Sequence, residues 1–194
     1  VTVTDGDGKE KTLTAKNILL ATGSEPVALP GLDFDGERII TSTEALALNK
    51  VPKHLGIVGG GYIGLELGSV WRRLGAKVTV IEMLPKIAAA MDSQIIRGLE
   101  RILKRQGIEF MLKTKVTGAE TANSKIRVTV DREGEASTLT FDRLLVAVGR
   151  KPLTRGLNLE EVGVNTDPRT GHVAVDAASR TSVSNIYAIG DPSA

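Results

Sequence analysis

The chain has 194 residues, 41% hydrophobic and 25% charged, with a formal net charge of +2; this balance suits a soluble globular protein with a core in one large or two small domains. Lys and Arg are mixed among Asp and Glu, and 3% of residues are aromatic, which argues against a nucleic-acid partner, since that needs a concentrated basic patch or a base-stacking platform. Cysteine is absent, which excludes disulfides, thiolate metal sites and a cysteine nucleophile within these residues, and no apolar run approaches the roughly 20 residues that cross a bilayer.

In chain order, "VTVT", "DGDG" and "KEKTLTA" at the start predict a β-hairpin, with no signal-peptide pattern before it. "NILLATG" (17–23) follows as a short strand of the buried type. Residues 25–53 are rich in Pro, Gly and Asp and read as a connection holding one short helix, "TSTEALAL", in which Thr41 and Glu44 have capping-box spacing. A strand over 55–58 leads into a helix with Ile63, Leu67, Val70, Trp71 and Leu74 on one face and Gly75 as its stop. "KVTVIE" is the next strand, and Asp92 caps a second helix with Ile95, Leu99, Ile102 and Leu103 inward and Gly107 at its end. "IEFMLKTKV" makes a third strand, so the order βαβαβ predicts a parallel sheet with right-handed crossovers. A meander follows: "KIRVTVD", a turn at "REGE", "STLTF" and the apolar strand "RLLVAVG". The last segment runs to "IYAIG", a strand ending in Gly190 and Asp191, at the strand end where open α/β sheets bind ligands. The fold class is therefore α/β, a Rossmann-like parallel sheet with an antiparallel β-meander.

One phrase occurs twice. "TLTAKNILLATGSEP" (12–26) and "TLTFDRLLVAVGRKP" (138–152) agree at Thr, Leu, Thr, Leu, Ala, Gly and Pro in register. The second copy closes a βαβαβ domain, whereas the first has no such domain before it. The repeat predicts a protein with two similar dinucleotide-type domains, the front of the first lying outside these residues. Coincidence between two common hairpin-plus-strand patterns is the alternative.

The strongest chemical motif is Gly59-Gly60-Gly61-Tyr62-Ile63-Gly64. It follows a strand, opens an amphipathic helix, and has Glu82 at the end of the next strand, which is the context a dinucleotide fingerprint requires. Gly59 serves the tight turn, Gly61 the approach of a pyrophosphate, Gly64 the helix–strand packing, and the helix N-terminus attracts phosphate. Glu82 would accept the ribose hydroxyls of NAD and repel a 2′-phosphate, and Met83 stands where an NADP site favours Arg. Glu66, in the first turn of the helix, and Tyr62 need more than spacing to be assigned a role. His54 and His172 lie in loop-like sequence with no carboxylate or nucleophile at a telling spacing, and read as surface residues. No metal-ligand cluster, no Ser-centred elbow and no catalytic acid, base or nucleophile is visible.

The stretch "IVGGGYIGLELGSVWRRLGAKVTVIE" resembles the dihydrolipoamide dehydrogenase family, within the two-dinucleotide-domain flavoprotein disulfide reductases. The resemblance continues through "QGIEFMLKTKVTG", "DRLLVAVGRKP", "GLNLEEVGV" and "NIYAIGD", and so covers nearly the whole chain. It implies a partial FAD-binding domain over 1–48, an NAD-binding domain over 49–150, and a return segment of the FAD-binding domain over 151–194. By resemblance, Gly59, Gly60, Gly61, Tyr62, Ile63, Gly64, Leu65 and Glu66 line the pyrophosphate and nicotinamide side of NAD, with Glu66 near the nicotinamide and Tyr62 between it and the flavin. Glu82 holds the adenosine ribose, while Val116 and Gly149 make adenosine-side contacts. Thr22, Gly23 and Ser24 touch FAD, and Asp191 holds its ribityl chain.

The implied parent is a cytoplasmic enzyme, or one of the mitochondrial matrix in a eukaryote. It is a homodimer that oxidises dihydrolipoyl groups of 2-oxoacid dehydrogenase complexes and passes hydride through FAD to NAD, without a nucleic-acid or membrane partner. The family's redox cysteines and first FAD fingerprint would precede residue 1, and its His-Glu pair would follow residue 194, so the expectation is an inactive portion that still binds NAD(H). After "GD" the chain reads "PSA", departing from the family's flavin-contacting stretch. A related mercuric or glutathione-type reductase is one alternative. A stand-alone NAD(H)-binding or regulatory module is another, although such a module has no use for the first hairpin.

Overall fold

The computed structural model describes residues 1–122 and 124–193, and the chain divides into two units, Val1–Glu25 with Arg150–Ala194 and Pro26–Gly149. The elements begin with β1 (Thr2–Thr4), β2 (Glu10–Thr12), β3 (Ile18–Leu20), β4 (Ser24–Pro26), β5 (Ile39–Ile40) and α1 (Ser42–Ala47). Next come β6 (His54–Val58), α2 (Tyr62–Arg73), β7 (Lys77–Ile81), α3 (Ser93–Arg105) and β8 (Ile108–Met111). Then follow β9 (Thr114–Ala122), β10 (Lys125–Arg132), β11 (Glu135–Phe141), β12 (Arg143–Val146), β13 (Arg150–Pro152) and β14 (Ile186–Ala188).

In the larger unit, β5-β12-β6-β7-β8 form one parallel sheet. Its strands are apolar on both faces because both are covered. Alternate residues divide between two cores. Leu145, Leu55, Ile57, Val78 and Val80 face Leu65, Leu67 and Trp71 of α2 and Ile96 and Leu103 of α3. Leu144, Val146, Val58 and Ile81 face Ile126, Val128 and Val130 of the antiparallel β9-β10-β11 meander, with Phe141 beside them. The helices end in local chemistry visible in the sequence. Thr41 Oγ1 accepts from Thr43 N–H while Glu44 accepts from Thr41 N–H, closing the capping box. Asp92 Oδ1 accepts from Gln94 N–H at 2.7 Å.

The structure departs from the sequence reading at several places. "IEFMLKTKV" is two strands, because Lys113 takes a left-handed φ of 55° and turns the chain from β8 in the parallel sheet to β9 in the meander. Val70, Leu74, Ile95 and Ile102, expected inward, are exposed; each helix meets the sheet along one side, and these residues stand at the edges of its apolar stripe. Glu66 opens the second turn of α2, which has no acidic residue in its first. Residues 26–48 lie in the larger unit: β5 extends its sheet beside β12, and Leu32 and Ile39 are buried in the meander-side core.

The smaller unit holds the exposed β1–β2 hairpin, whose turn is fixed by Asp5 Oδ1 accepting from Asp7 and Lys9 N–H at 3.0 and 2.9 Å. It also holds the parallel pair β3–β14 over a core of Leu20, Leu159, Val164, Val173, Ile186 and Ala188. The repeated phrase acquires a structural counterpart: its first copy places β3 beside β14, and its second places β12 beside β6, each in a parallel pair. The ends of the two copies, β4 and β13, hydrogen-bond to each other.

Candidate functional site

In the larger unit, β6 ends at Val58 and the chain turns through Gly59, Gly60 and Gly61 into α2. Gly59 has a φ of 105° and abuts the Ala147 carbonyl at the end of β12. A Cβ at Gly64 would overlap the Gly59 carbonyl oxygen and sit 3.1 Å from Ile57 Cγ2. These contacts bring α2 down onto β6, and no side chain larger than hydrogen fits. Gly61 is different. It is the N-cap of α2 with no side-chain cap, and a Cβ there meets nothing within 4 Å. The first N–H groups of an α-helix lack intrahelical partners, so the loop presents donors and the positive end of the helix dipole to an open approach.

Glu82 follows directly on β7. Its Oε2 accepts from Gly60 N–H at 2.6 Å and its Oε1 from Leu84 N–H at 2.7 Å. Its backbone is fixed as well, with Glu82 N–H donating to Met111 O and Thr114 N–H donating to Glu82 O, each at 2.9 Å. The 22-residue separation of Gly60 and Glu82 is thereby closed into one hydrogen-bonded pair.

The other expected residues of this unit fall around it unequally. Tyr62 and Glu66 are exposed on α2, Ile63 packs partly into the helix-side core, and Leu65 is buried with its N–H donated to Gly61 O. Val116 lies on β9 against the meander-side core, and Gly149 is exposed beyond β12, accepting from Val27 N–H. Sequence reasoning missed Ala88, whose N–H donates to Gly60 O at 2.8 Å and whose φ of 44° is left-handed. Buried Ile87 anchors this strap across the glycine loop. An alanine in a left-handed turn carries no sequence signal.

In the smaller unit, Ser24 Oγ donates to Asp191 Oδ2 and accepts from Arg150 Nε at 2.6 Å. Thr22 Oγ1 donates to Leu153 O at 2.7 Å, and Gly23 has a φ of 73° with open space where a Cβ would stand. Thr22, Gly23, Ser24 and Asp191 are thus collected at the adjoining ends of β3 and β14. Arg150, which the sequence did not single out, clamps Ser24.

The reading of His54 as a surface residue is corrected. It is half-buried at the start of β6, stacked edge-on to Phe141 with ring centroids 4.7 Å apart, and its Nε2 lies 2.9 Å from Thr79 Oγ1. Thr79 Oγ1 donates to Glu109 Oε2 at 3.1 Å; its single hydrogen is thereby used, so the neutral imidazole carries its proton on Nε2. Burial, with Lys77 nearby, holds the imidazole below its ordinary value against the pull of Glu109 and Asp142. His172 is half-exposed and plays no part in this group. Among the described residues no cluster of His, Cys, Asp and Glu could hold a metal ion.

Among solved structures, this architecture is that of flavoprotein disulfide reductases. The HOCl-induced flavoprotein disulfide reductase RclA of Escherichia coli, as its Cu(II) complex, superposes with a TM-score of 0.87 at 32% identity, covering 98% of this chain and 42% of that one. LpdA of Mycobacterium tuberculosis superposes with a TM-score of 0.90 at 31% identity, covering 99% and 41%. The chain belongs to the pyridine nucleotide-disulphide oxidoreductase family, whose model matches residues 1–193. Within the family it is similar to mitochondrial dihydrolipoyl dehydrogenases, at 48% identity to that of Cricetulus griseus and 47% to that of Homo sapiens. Each of these comparisons covers 98% of the chain, which spans 38% of the length of either relative.

Proposed function

We infer that the chain is the NAD(H)-binding portion, with parts of the FAD-binding domain, of a flavoprotein that oxidises dihydrolipoyl groups. The observation that carries the reading is the Glu82 carboxylate bonded to Gly60 N–H beside the uncapped, open N-terminus of α2. A dinucleotide asks for backbone donors at its pyrophosphate and an acceptor at its adenosine ribose, and both are here, on rigid elements. The residues fit NAD better than NADP, since a carboxylate at Glu82 repels a 2′-phosphate and no arginine adjoins it. NAD, when bound, supplies the hydride acceptor. The protein's part is to hold its phosphates at Gly59–Gly64 and its ribose at Glu82, with Val116 and Gly149 on the adenosine side and Tyr62 and Glu66 toward the nicotinamide.

FAD is assigned to the cluster of Thr22, Gly23, Ser24 and Asp191. Its hydroxyl and carboxylate groups are already joined and suit a polyhydroxylated chain. Residues 49–150 are proposed as the NAD domain, with 26–48 packed into the same unit, and the remaining segments as parts of the FAD domain. The chain contains no cysteine, so thiol–disulfide chemistry is assigned to other residues of a dimeric parent serving 2-oxoacid dehydrogenase complexes. The mitochondrial names of the relatives support the matrix in a eukaryote. Similarity over 98% of the chain, first hairpin included, disfavours a stand-alone module.

NADH fluorescence titration tests the site. Removing a hydrogen bond to a charged group is worth about 1.5–3 kcal/mol, so Glu82→Arg should weaken NADH by roughly 10- to 100-fold and shift preference toward NADPH. Unchanged discrimination between the two would overturn the assignment.

A further inference from the structure

Helix α3 turns Ile96 and Leu103 into the core, with Leu99 packed beside them, and its outward side carries two stripes. Arg97, Arg101 and Arg105 recur at every fourth residue and span about 12 Å of helix at 1.5 Å per residue. With Glu100 and Lys104 they line a shallow, open concavity. Glu100 and Lys104 neutralise each other at 2.6 Å, whereas none of the three arginines is in an ion pair among the described residues. The second stripe is apolar: Ile95 and Ile102 are 60% and 54% exposed. At 3.6 residues per turn, Gly98 falls between the two. A Cβ there meets nothing within 4 Å, so packing does not require the glycine, although a glycine inside a helix is less favourable than alanine. Its effect is to leave the backbone bare between a cationic and an apolar stripe.

We propose that this face of α3 docks an acidic amphipathic helix of a partner protein, whose carboxylates meet Arg97, Arg101 and Arg105 and whose apolar residues cover Ile95 and Ile102 over the bare backbone at Gly98. Guanidinium groups favour carboxylates through paired N–H donors, and a helix laid in a shallow groove presents side chains at the same four-residue spacing. Nucleic acid fits less well: the basic stripe adjoins isoleucines rather than stacking aromatics. A membrane fits less well too, because the larger apolar face of α3 is committed to the protein's own core.

The probe is a fluorescein-labelled helical peptide with Glu at every fourth position and Leu along the adjoining stripe, titrated against the full chain by anisotropy. Saturable binding is expected, weakened by about 10-fold or more on Arg101→Glu, on replacing the peptide's Glu with Gln, and at high salt. Gly98→Leu should weaken the peptide by at least as much while leaving the melting temperature unchanged or higher, which a merely structural role for the residue would not produce. NADH binding in both variants reports an intact fold. The proposal is overturned if no saturable binding is seen, or if Arg101→Glu or the Gln peptide binds equally well. Tighter binding of a single-stranded oligonucleotide or of phosphatidylserine vesicles through the same arginines would overturn it as well.

Discussion

Two glycines of the loop separate the demands of folding from those of the proposed ligand. Gly64 has no room for a methyl group, its Cβ position being taken by the Gly59 carbonyl. Gly64→Ala should therefore lower stability by about 1–3 kcal/mol, as overpacking does, measured by urea denaturation. Gly61 is extended and faces open space. Gly61→Ala should leave stability nearly unchanged and still weaken NADH, because the methyl group occupies the approach to the helix N-terminus. Equal NADH affinity in Gly61→Ala would place the phosphates elsewhere.

His54 and Asp142 give the same residue-level logic a pH dependence. Burial acts to raise the Asp142 carboxyl, but the Lys125 ammonium and the His54 N–H hold it below its ordinary value. Both groups have folded values below their unfolded ones, so both supply stability that is whole above the unfolded value and lost as pH falls through the folded one. Stability should decline in two stages, first below the ordinary histidine value of 6.5 and again below the ordinary aspartate value of 3.8. His54→Gln should flatten the first stage, and Asp142→Asn should remove its own part of the second, which Asp35, Glu44 and Glu109 share, in denaturation curves collected across pH. An unaltered first stage in His54→Gln would show that this imidazole is not its source.

At the scale of elements, α2 is tied to α1 as well as to the sheet: Trp71 is buried and its Nε1 donates to Ala45 O at 3.2 Å. Trp71→Ala removes both the ring and that bond, and should cost about 3–5 kcal/mol, read from the same urea transitions. A cost near that of an exposed substitution would mean that α1 and α2 do not share this core. The sequence made α1 and α3 legible through their N-caps, Thr41 and Asp92, and α2 through its glycine loop and apolar period, and the candidate site was legible because Glu82 follows the glycines at a spacing set by one helix and one strand. It could not show β5, only two residues long, or the β8–β9 break, which rests on a left-handed lysine. Nor could apolar spacing distinguish Ile96, which is buried, from Ile95, which is not, since the side from which the sheet approaches is decided by tertiary packing. The Ala88 strap and the His54–Thr79–Glu109 chain join residues whose separations carry no local pattern.

For the whole molecule, burial is distributed unevenly. The larger unit has two cores enclosing a five-stranded sheet, and the smaller has one modest core and a fully exposed hairpin. Native-state amide exchange should accordingly be slowest in β6, β7 and β12, faster in β3 and β14, and fastest in β1 and β2. Protection of the hairpin equal to that of β6 would show that something beyond these residues covers it.

The pairing of β3 with β14 also sets a timetable for the nascent chain. Ile18 meets Ile186, and at 5–20 residues per second roughly 170 residues of synthesis separate them, on the order of ten to thirty seconds. During that interval the whole of Pro26–Gly149 leaves the ribosome with every strand of its parallel sheet in hand, while Ile18, Leu19 and Leu20 still lack β14, the strand they pair with among the described residues. Slowing translation after residue 149 should therefore lengthen the wait of β3 for β14 without delaying the unit that encloses the glycine loop.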